Sequence, residues 1–168
     1  MSTTYRRNFT AKYDLPRRCG CYSLVIDLRR GKKIRIGKLG EIEFQPGNYI
    51  YTGSAMAGLR ARLLRHLSGK KKLRWHIDYF LNDAQARIKK VYLYPAAPGQ
   101  ECRQNQKIGA LPGAQFVRHK FGASDCRAGC PSHLVFLHRA YRLRIRRCEP
   151  RLRLWQRCSV LRRPWPSF

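Results

Sequence analysis

Residues 47–66, GNYIYTGSAMAGLRARLLRH, join a tyrosine-rich segment directly to a helical pattern. The first part, Asn48 to Thr52, carries aromatic and β-branched residues after a turn signal, which favours a strand. The period then changes, because leucines recur every fourth residue from Leu59 to Leu67 until Gly69 ends the pattern. The stretch therefore predicts a β-strand that leads into an amphipathic helix.

Other segments extend this α+β pattern. The apolar run CYSLVIDL, which begins at Cys21, predicts a strand about a hairpin's length upstream. Glycine and proline separate several further elements. We expect a small antiparallel sheet of about three strands, flanked by helices. The other expected strands are 33–40, 41–44, 87–94 and 133–138, and the other expected helices are 74–81 and 99–107.

Two tyrosine segments resemble the signature of the GIY-YIG nuclease superfamily. Gly20-Cys21-Tyr22 stands where that family has Gly-Ile-Tyr, and Tyr51-Thr52-Gly53 stands where it has Tyr-Ile-Gly. Ser54-Ala55 and the pair Arg62 and His66 continue the match. The resemblance implies a phosphodiester hydrolase built on a GIY-YIG-like domain.

Four downstream motifs narrow the resemblance to one little-characterised branch, sometimes fused to DNA-repair glycosylases. They follow in order as WHIDYF at 75–80, Glu101-Cys102, FGASDC at 121–126 and Ser132-His133-Leu134. The resemblance covers residues 18–138. It implies a DNA substrate, a role in repair or processing, and a DNA-repair protein as a partner.

Arg62 and His66 lie four residues apart and flank the leucine stripe of the predicted helix. The resemblance implies that Arg62 stabilises charge on the phosphate, for which a guanidinium is suited because it binds two oxygens and stays charged. It implies that His66 donates a hydrogen bond or helps to move protons. Tyr22 or Tyr51 would assist the attacking water, with Tyr22 favoured. Tyr49 is the third choice.

Glu101 is the residue that the resemblance places at a divalent cation, Mg²⁺ or Mn²⁺. One carboxylate together with water and substrate oxygens is a common way to bind Mg²⁺. An exposed helix carboxylate with no such role is the alternative. Other superfamily members have an asparagine near the metal, for which Ser124, Asp125 and His133 are the candidates here.

The cysteine-rich segment offers a second candidate metal site. Cys102, Cys126, Cys130 and His133 could form a Cys₃His zinc site. The spacing Cys-x3-Cys-x2-His is tighter than in common zinc fingers, and free cysteines are frequent in protein cores. Zinc is therefore the less favoured of the two metals.

The charge of the chain favours a polyanionic partner. Lys and Arg number 36 against 9 Asp and Glu, a formal net charge of +27. Such a field attracts nucleic acid, because basic side chains displace counterions from phosphates. The predicted phosphate contacts, which could equally be solvated charges, are Arg60, Arg65, Lys70, Lys71 and Lys72.

The two ends of the chain differ from its middle. Residues 1–17 are basic and predict a flexible lead-in that contributes charge only. Residues 139–168 are rich in Arg and Trp. They are interpreted as a poorly ordered tail, as a single-strand-binding tail, or as an end translated out of its ancestral frame. No apolar run suggests a secretory signal or a membrane span, so a cytoplasmic protein, or one associated with the nucleoid, is expected.

The sequence therefore predicts a metal-dependent endonuclease that acts on nucleic acid, with DNA favoured over RNA. Two other functions stay open. One is a nucleic-acid-binding protein that retains the fold without catalysis, although binding alone would not require the residue set at positions 22, 51, 62, 66 and 101. The other is a zinc-stabilised adaptor within a repair assembly.

Overall fold

The computed structural model describes residues 15–138. In chain order the strands are β1 (Gly20–Leu28), β2 (Lys32–Arg35), β3 (Glu41–Phe44), β4 (Gly47–Ala55), β5 (Ala86–Tyr94), β6 (Ala114–Phe116) and β7 (Leu134–Leu137). The helices are α1 (Leu59–Leu67), α2 (His76–Leu81) and α3 (Gln100–Gly109), and a short 3-10 turn spans Gly37–Leu39.

The main sheet is antiparallel and has five strands in the order β5-β1-β4-β7-β6, with β2 and β3 forming a separate hairpin. The α+β class with a small antiparallel sheet is confirmed. The expected count of about three strands is wrong, because β5 and β7 join the sheet on either side of the central pair. The extra strand β6 has three residues, too few to show an alternating pattern.

Strands β1 and β4 form the centre of the sheet and set the position of the tyrosines. Tyr22 lies opposite Gly53, and Leu24 lies opposite Tyr51. Paired residues share one face of a sheet, so the two tyrosines project from the same side. A Cβ atom on Gly53 would lie 2.6 Å from the Tyr22 hydroxyl oxygen. The tyrosine ring therefore lies directly over bare backbone of β4.

Helices cover both faces of the sheet. The leucines of α1 and the apolar side chains of α2 join Tyr22, Leu24 and Tyr49 in one buried cluster. The opposite face carries Ile50 and Val135, which are also buried. Helix α3 packs on that side across β4, β1, β6 and β7.

The N-terminus of α1 is held by the chain that precedes the sheet. The N–H of Leu59 donates to the Arg18 carbonyl at 2.9 Å, and the N–H of Arg60 donates to the Pro16 carbonyl at 3.0 Å. Leu15 is buried in the core. Residues 15–17 therefore do more than contribute charge, which corrects that part of the expected lead-in. Pro16 satisfies one helix donor that would otherwise lack a partner.

Two expectations fall outside the described part of the chain: the rest of the lead-in, residues 1–14, and the whole of the predicted tail, residues 139–168. Among residues 15–138, none of the helices has the length and apolar character needed to cross a bilayer.

Candidate functional site

An open cleft of about 940 Å³ lies at the end of the sheet where β1 begins and β4 and β5 end. Its lining includes Tyr22, Tyr51, Arg62, Glu101 and His133. These residues come from β1, β4, α1, α3 and the turn before β7. The antiparallel order brings these strand ends together. Four of the five residues predicted for catalysis and metal binding thus reach one cleft, and the fifth, His66, lies behind it.

Tyr22 and His66 form a buried hydrogen-bonded pair. The Tyr22 hydroxyl lies 2.7 Å from His66 Nε2. Burial raises the pKa of Tyr22 well above its usual value. Burial, followed by the nearby Lys71, lowers the pKa of His66 to about 3. The neutral imidazole can therefore accept the tyrosine proton, which leaves the oxygen lone pairs of Tyr22 for a second partner.

Tyr51 stands beside this pair. Its ring centre is 6.4 Å from that of Tyr22 and 6.2 Å from that of His66. Burial, with Glu101 as the next cause, raises the pKa of Tyr51. Both phenols are therefore protonated at neutral pH and act as hydrogen-bonding groups in the absence of substrate.

Arg62 is held in place by an aromatic ring. Its guanidinium lies 4.1 Å from the centre of the Trp75 ring, a cation–π contact. Trp75 precedes α2 and also lines the cleft. Stacking leaves the guanidinium edge free to donate to an anion. The arginine is thus oriented by the protein while its donors remain available.

Arg65 uses the same tryptophan but has an internal partner. Its guanidinium lies 4.5 Å from the Trp75 ring centre and donates to Asp78 Oδ2 at 2.6 Å. Burial alone would raise the pKa of Asp78, but the N–H groups of Trp75 and Arg74 and the Arg65 charge outweigh it and lower that pKa. Arg65 was predicted as a phosphate contact, and the structure assigns one of its nitrogens to this ion pair.

Glu101 lies in the first turn of α3, and its side chain is 23% exposed. The Glu101 Oε1 atom is 2.9 Å from His133 Nδ1, a contact that is an ion pair when the imidazole is protonated. Besides Glu101, Asp125 is the other carboxylate that lines the cleft among the described residues. Hard oxygen ligands at a water-accessible cleft are the kind of donors that Mg²⁺ and Mn²⁺ accept.

Four further side chains meet where α3 packs beside the loop that precedes β7. The ligand atoms of Cys102, Cys126, Cys130 and His133 all lie within 4.8 Å of one another. This Cys₃His cluster could hold a metal ion such as zinc. All five cysteines in the described range are free thiols, including these three.

The remaining predicted site residues lie elsewhere. Tyr49 does not line the cleft, because its hydroxyl donates to the Gln45 carbonyl at 2.6 Å within the core. Arg60, Lys70 and Lys72 are exposed, as expected for contacts with solvent or phosphate. Lys71 Nζ instead donates to the His66 carbonyl at 3.1 Å. Ser124, like Asp125, lies on the cleft lining.

Sequence reasoning missed several residues that shape the site. Trp75 was assigned only to a helix, although its place beside two arginines is what orients Arg62. Asn105 is fully buried and its side chain donates to the Ser132 carbonyl at 2.7 Å. Its spacing of four residues from Glu101 on a helix was the available signal. Met56, which is 72% exposed at the cleft, carried no signal in the sequence.

Chemically, the site combines the hydrogen-bonded pair of Tyr22 and His66, the guanidinium of Arg62 and two carboxylates in the cleft. Such a set can bind a phosphate, orient a water molecule and hold a divalent cation.

Comparison with known proteins gives one match. The sequence model of the family described as "Domain of unknown function DUF123" matches residues 21–153. The matched range includes every residue of the cleft described above. No curated protein and no solved structure matches the chain.

Proposed function

Because the chain belongs to the DUF123 family over residues 21–153, and because its cleft gathers the residues of a GIY-YIG-like signature, we propose that it is a GIY-YIG-type metal-dependent endonuclease. The observation that carries the proposal is the convergence of Tyr22, Tyr51, Arg62 and Glu101 on one cleft, with His66 bonded behind Tyr22. The substrate is nucleic acid, with DNA favoured.

The reaction is hydrolysis of a phosphodiester. Water attacks phosphorus, the bond from phosphorus to the leaving oxygen breaks, and that oxygen takes up a proton. Arg62 binds the non-bridging oxygens, because the stack on Trp75 fixes its plane and leaves its edge free. The guanidinium offsets the negative charge that develops on these oxygens.

Tyr22 is the better placed of the two tyrosines to assist the water. With the His66 proton on Nδ1, the Tyr22 hydroxyl donates to Nε2, so its oxygen can accept a hydrogen bond from water. As water attacks, one proton passes to the Tyr22 oxygen and the tyrosine proton passes to His66 Nε2. Burial and then the neighbouring cations lower the pKa of His66, and a bound phosphate would offset the effect of those cations.

Glu101 would hold the divalent cation, which when bound supplies a Lewis acid for the scissile phosphate. Its carboxylate fits this role because it is partly exposed within the cleft. Tyr51 completes the phosphate site as a hydrogen-bond donor. The basic surface, including Lys70 and Lys72, adds sequence-independent affinity.

The test is cleavage of a panel of single-stranded, duplex, flap and branched DNAs, with matched RNAs, in Mg²⁺ or Mn²⁺. The wild-type protein should cut at least one substrate, and EDTA should stop the reaction. Glu101→Gln should reduce the rate about 10²-fold or more while nucleic-acid affinity stays nearly unchanged. Glu43→Gln, an exposed position on the separate hairpin, is the matched control.

Two results would redirect the assignment. Tight binding without cleavage of any substrate would favour the non-catalytic binding protein. Cleavage by Glu101→Gln at the wild-type rate, under conditions where EDTA silences the wild type, would remove Glu101 from the metal site.

A further inference from the structure

We propose that Cys102, Cys126, Cys130 and His133 bind one zinc ion, and that His133 connects this ion to Glu101. The proposed site joins the first turn of α3 to the loop between β6 and β7. Cys102, Cys126 and His133 also line the cleft, so the ion would lie at its edge. The presence of the site does not depend on the proposed cleavage activity.

The distances suit a tetrahedral site. All four ligand atoms lie within 4.8 Å of one another, and Cys102 Sγ is 3.6 Å from Cys126 Sγ. A zinc–sulfur bond of about 2.3 Å implies sulfur atoms roughly 3.8 Å apart in a tetrahedron. A disulfide would need about 2.05 Å. The separation between the sulfur atoms therefore matches ligands of a shared metal better than a covalent bond.

His133 supplies the second, independent observation. It is 4% exposed, its Nδ1 lies 2.9 Å from Glu101 Oε1, and its Nε2 has no hydrogen-bond partner among the described residues. A buried polar group without a partner is costly, and a metal bond removes that cost at one nitrogen. Because Nδ1 faces Glu101, we assign Nε2 to the metal.

The loop that carries Cys126 and Cys130 is closed at its base, because the N–H of Lys120 donates to the Pro131 carbonyl at 2.7 Å. Gly129, with a positive φ of 70°, permits the tight bend that leads into Cys130. Cysteine ligands select zinc over magnesium.

The connection to Glu101 follows from the other side of the His133 ring. Histidines that bind metals commonly donate their second N–H to a carboxylate, which fixes the ring and the tautomer. Glu101 Oε1 is 2.9 Å from Nδ1, and Glu101 is also the neighbour of Cys102 in α3. The zinc would thus fix both the backbone and the side chain of the carboxylate at the cleft.

The test uses the full chain, purified under reducing conditions, stripped with a chelator and titrated with Zn²⁺ or Co²⁺ alone. Wild-type protein should bind one equivalent, raise its melting temperature, and show with Co²⁺ the thiolate charge-transfer band and visible bands of a tetrahedral site. Cys130→Ser should lose this binding. Cys19→Ser, an exposed position outside the cluster, should retain it.

Two further variants locate the site. The double variant Cys148→Ser, Cys158→Ser should keep the zinc, because the four ligands of the proposed site are complete without those cysteines. Glu101→Gln should keep the site but bind Zn²⁺ about 10- to 100-fold more weakly. Affinity losses of this size are typical when a metal-bound histidine loses its carboxylate partner. This readout is zinc affinity, so failure of the nuclease proposal would not affect it.

The proposal fails if reduced wild-type protein takes up no stoichiometric metal, a result that needs no variant to fold. It also fails if Cys19→Ser loses as much metal as Cys130→Ser. A disulfide between Cys102 and Cys126, detected by mass in zinc-treated, reduced protein, would also overturn the proposal. It would show that the two sulfur atoms form a covalent bond and do not share a metal ion. Unchanged zinc affinity in Glu101→Gln would remove the connection to Glu101.

Discussion

The two walls of the cleft are held together in different ways. On the tyrosine wall, formed by β1, β4, α1 and Trp75, the functional groups contact each other: Tyr22 bonds to His66, and Arg62 stacks on Trp75. On the cysteine wall, formed by the start of α3 and the loop before β7, His133 Nε2 lacks a hydrogen-bond partner among the described residues. Contacts between protein groups organise the tyrosine wall, whereas the cysteine wall has potential ligand atoms that a metal ion could bind.

The largest effect should come from removing the ion pair that supports the tyrosine wall. Asp78→Ala removes the only carboxylate partner of Arg65 among the described residues, although Arg65 then keeps the Lys72 carbonyl, and it removes the acceptor of two backbone N–H groups. We expect a loss of about 3–5 kcal/mol in the free energy of unfolding, measured by urea denaturation.

The matched control for that change is Lys32→Ala, which removes the exposed partner of the ion pair with Asp83. Because Lys32 is 54% exposed and Asp83 keeps the Gln85 N–H as a donor, that pair should contribute about 0–1 kcal/mol. Equal losses in the two variants would mean that the tyrosine wall is not supported by Asp78, and the contrast between the walls would weaken.

Next in size is the effect of altering the stacked arginine. Arg62→Lys keeps the charge but removes the planar group that lies 4.1 Å from the Trp75 ring centre. If the protein is a nuclease, cleavage should slow by about 10²-fold or more, close to 2.7 kcal/mol in the barrier.

Arg60→Lys on the exposed side of the same helix should change the cleavage rate little. Similar losses at positions 60 and 62 would indicate that α1 supplies only diffuse charge.

A smaller effect should appear in the pH dependence of stability. Folding lowers the pKa of His66 from 6.5 to about 3, so the unfolded chain binds more protons between these values. The contribution of neutral His66 is present above pH 6.5 and is lost as pH falls towards about 3.

The difference in unfolding free energy between wild type and His66→Gln should therefore shrink by about 2 kcal/mol from about pH 6.5 to about pH 4.5. His119→Gln, at an exposed histidine, is the control and should show no such change. A difference that stays constant with pH would show that His66 is protonated as readily in the folded protein as in the unfolded chain.

The smallest effect should separate two neighbouring lysines beside the tyrosine wall. Lys70→Gln removes an exposed charge, and if that charge contacts phosphate the slope of log affinity against log salt should fall by about 0.9 for duplex DNA. Lys71→Gln should instead lower stability, because Lys71 Nζ donates to the His66 carbonyl.

Melting curves and salt titrations of both lysine variants give this comparison. An equal salt effect with no loss of stability in Lys71→Gln would contradict the assigned contact.

The walls also differ in how far the sequence could predict them. The leucine period set the face of α1 and therefore the direction of Arg62 and His66. It could not show that Arg65 meets Asp78, since helix angles do not reveal partners from other elements. Tyr49 and Tyr51 lie two residues apart in β4 and therefore share one face of the sheet. Tyr51 lies nearer the C-terminal end of β4 and reaches the cleft, whereas Tyr49 stays in the core. This difference depends on how β4 pairs with its neighbouring strands, which alternation along one strand does not show.

The cysteine wall was harder to predict. Cys102 and Cys126 are 24 positions apart and come together only when α3 packs beside the loop. Nothing in their spacing shows that contact. The number of strands was missed for a related reason, because the pairing of β7 with β4 and β6 is a long-range choice.

The close fit of Tyr22 over Gly53 has a consequence for how this family varies. With the Tyr22 hydroxyl oxygen 2.6 Å from where a Cβ would stand, and with the ring 1% exposed, position 53 is closed to every side chain. A relative that carries alanine there must have moved or given up the tyrosine. A residue with no functional group therefore reports whether a tyrosine can occupy the position of Tyr22 in a family member.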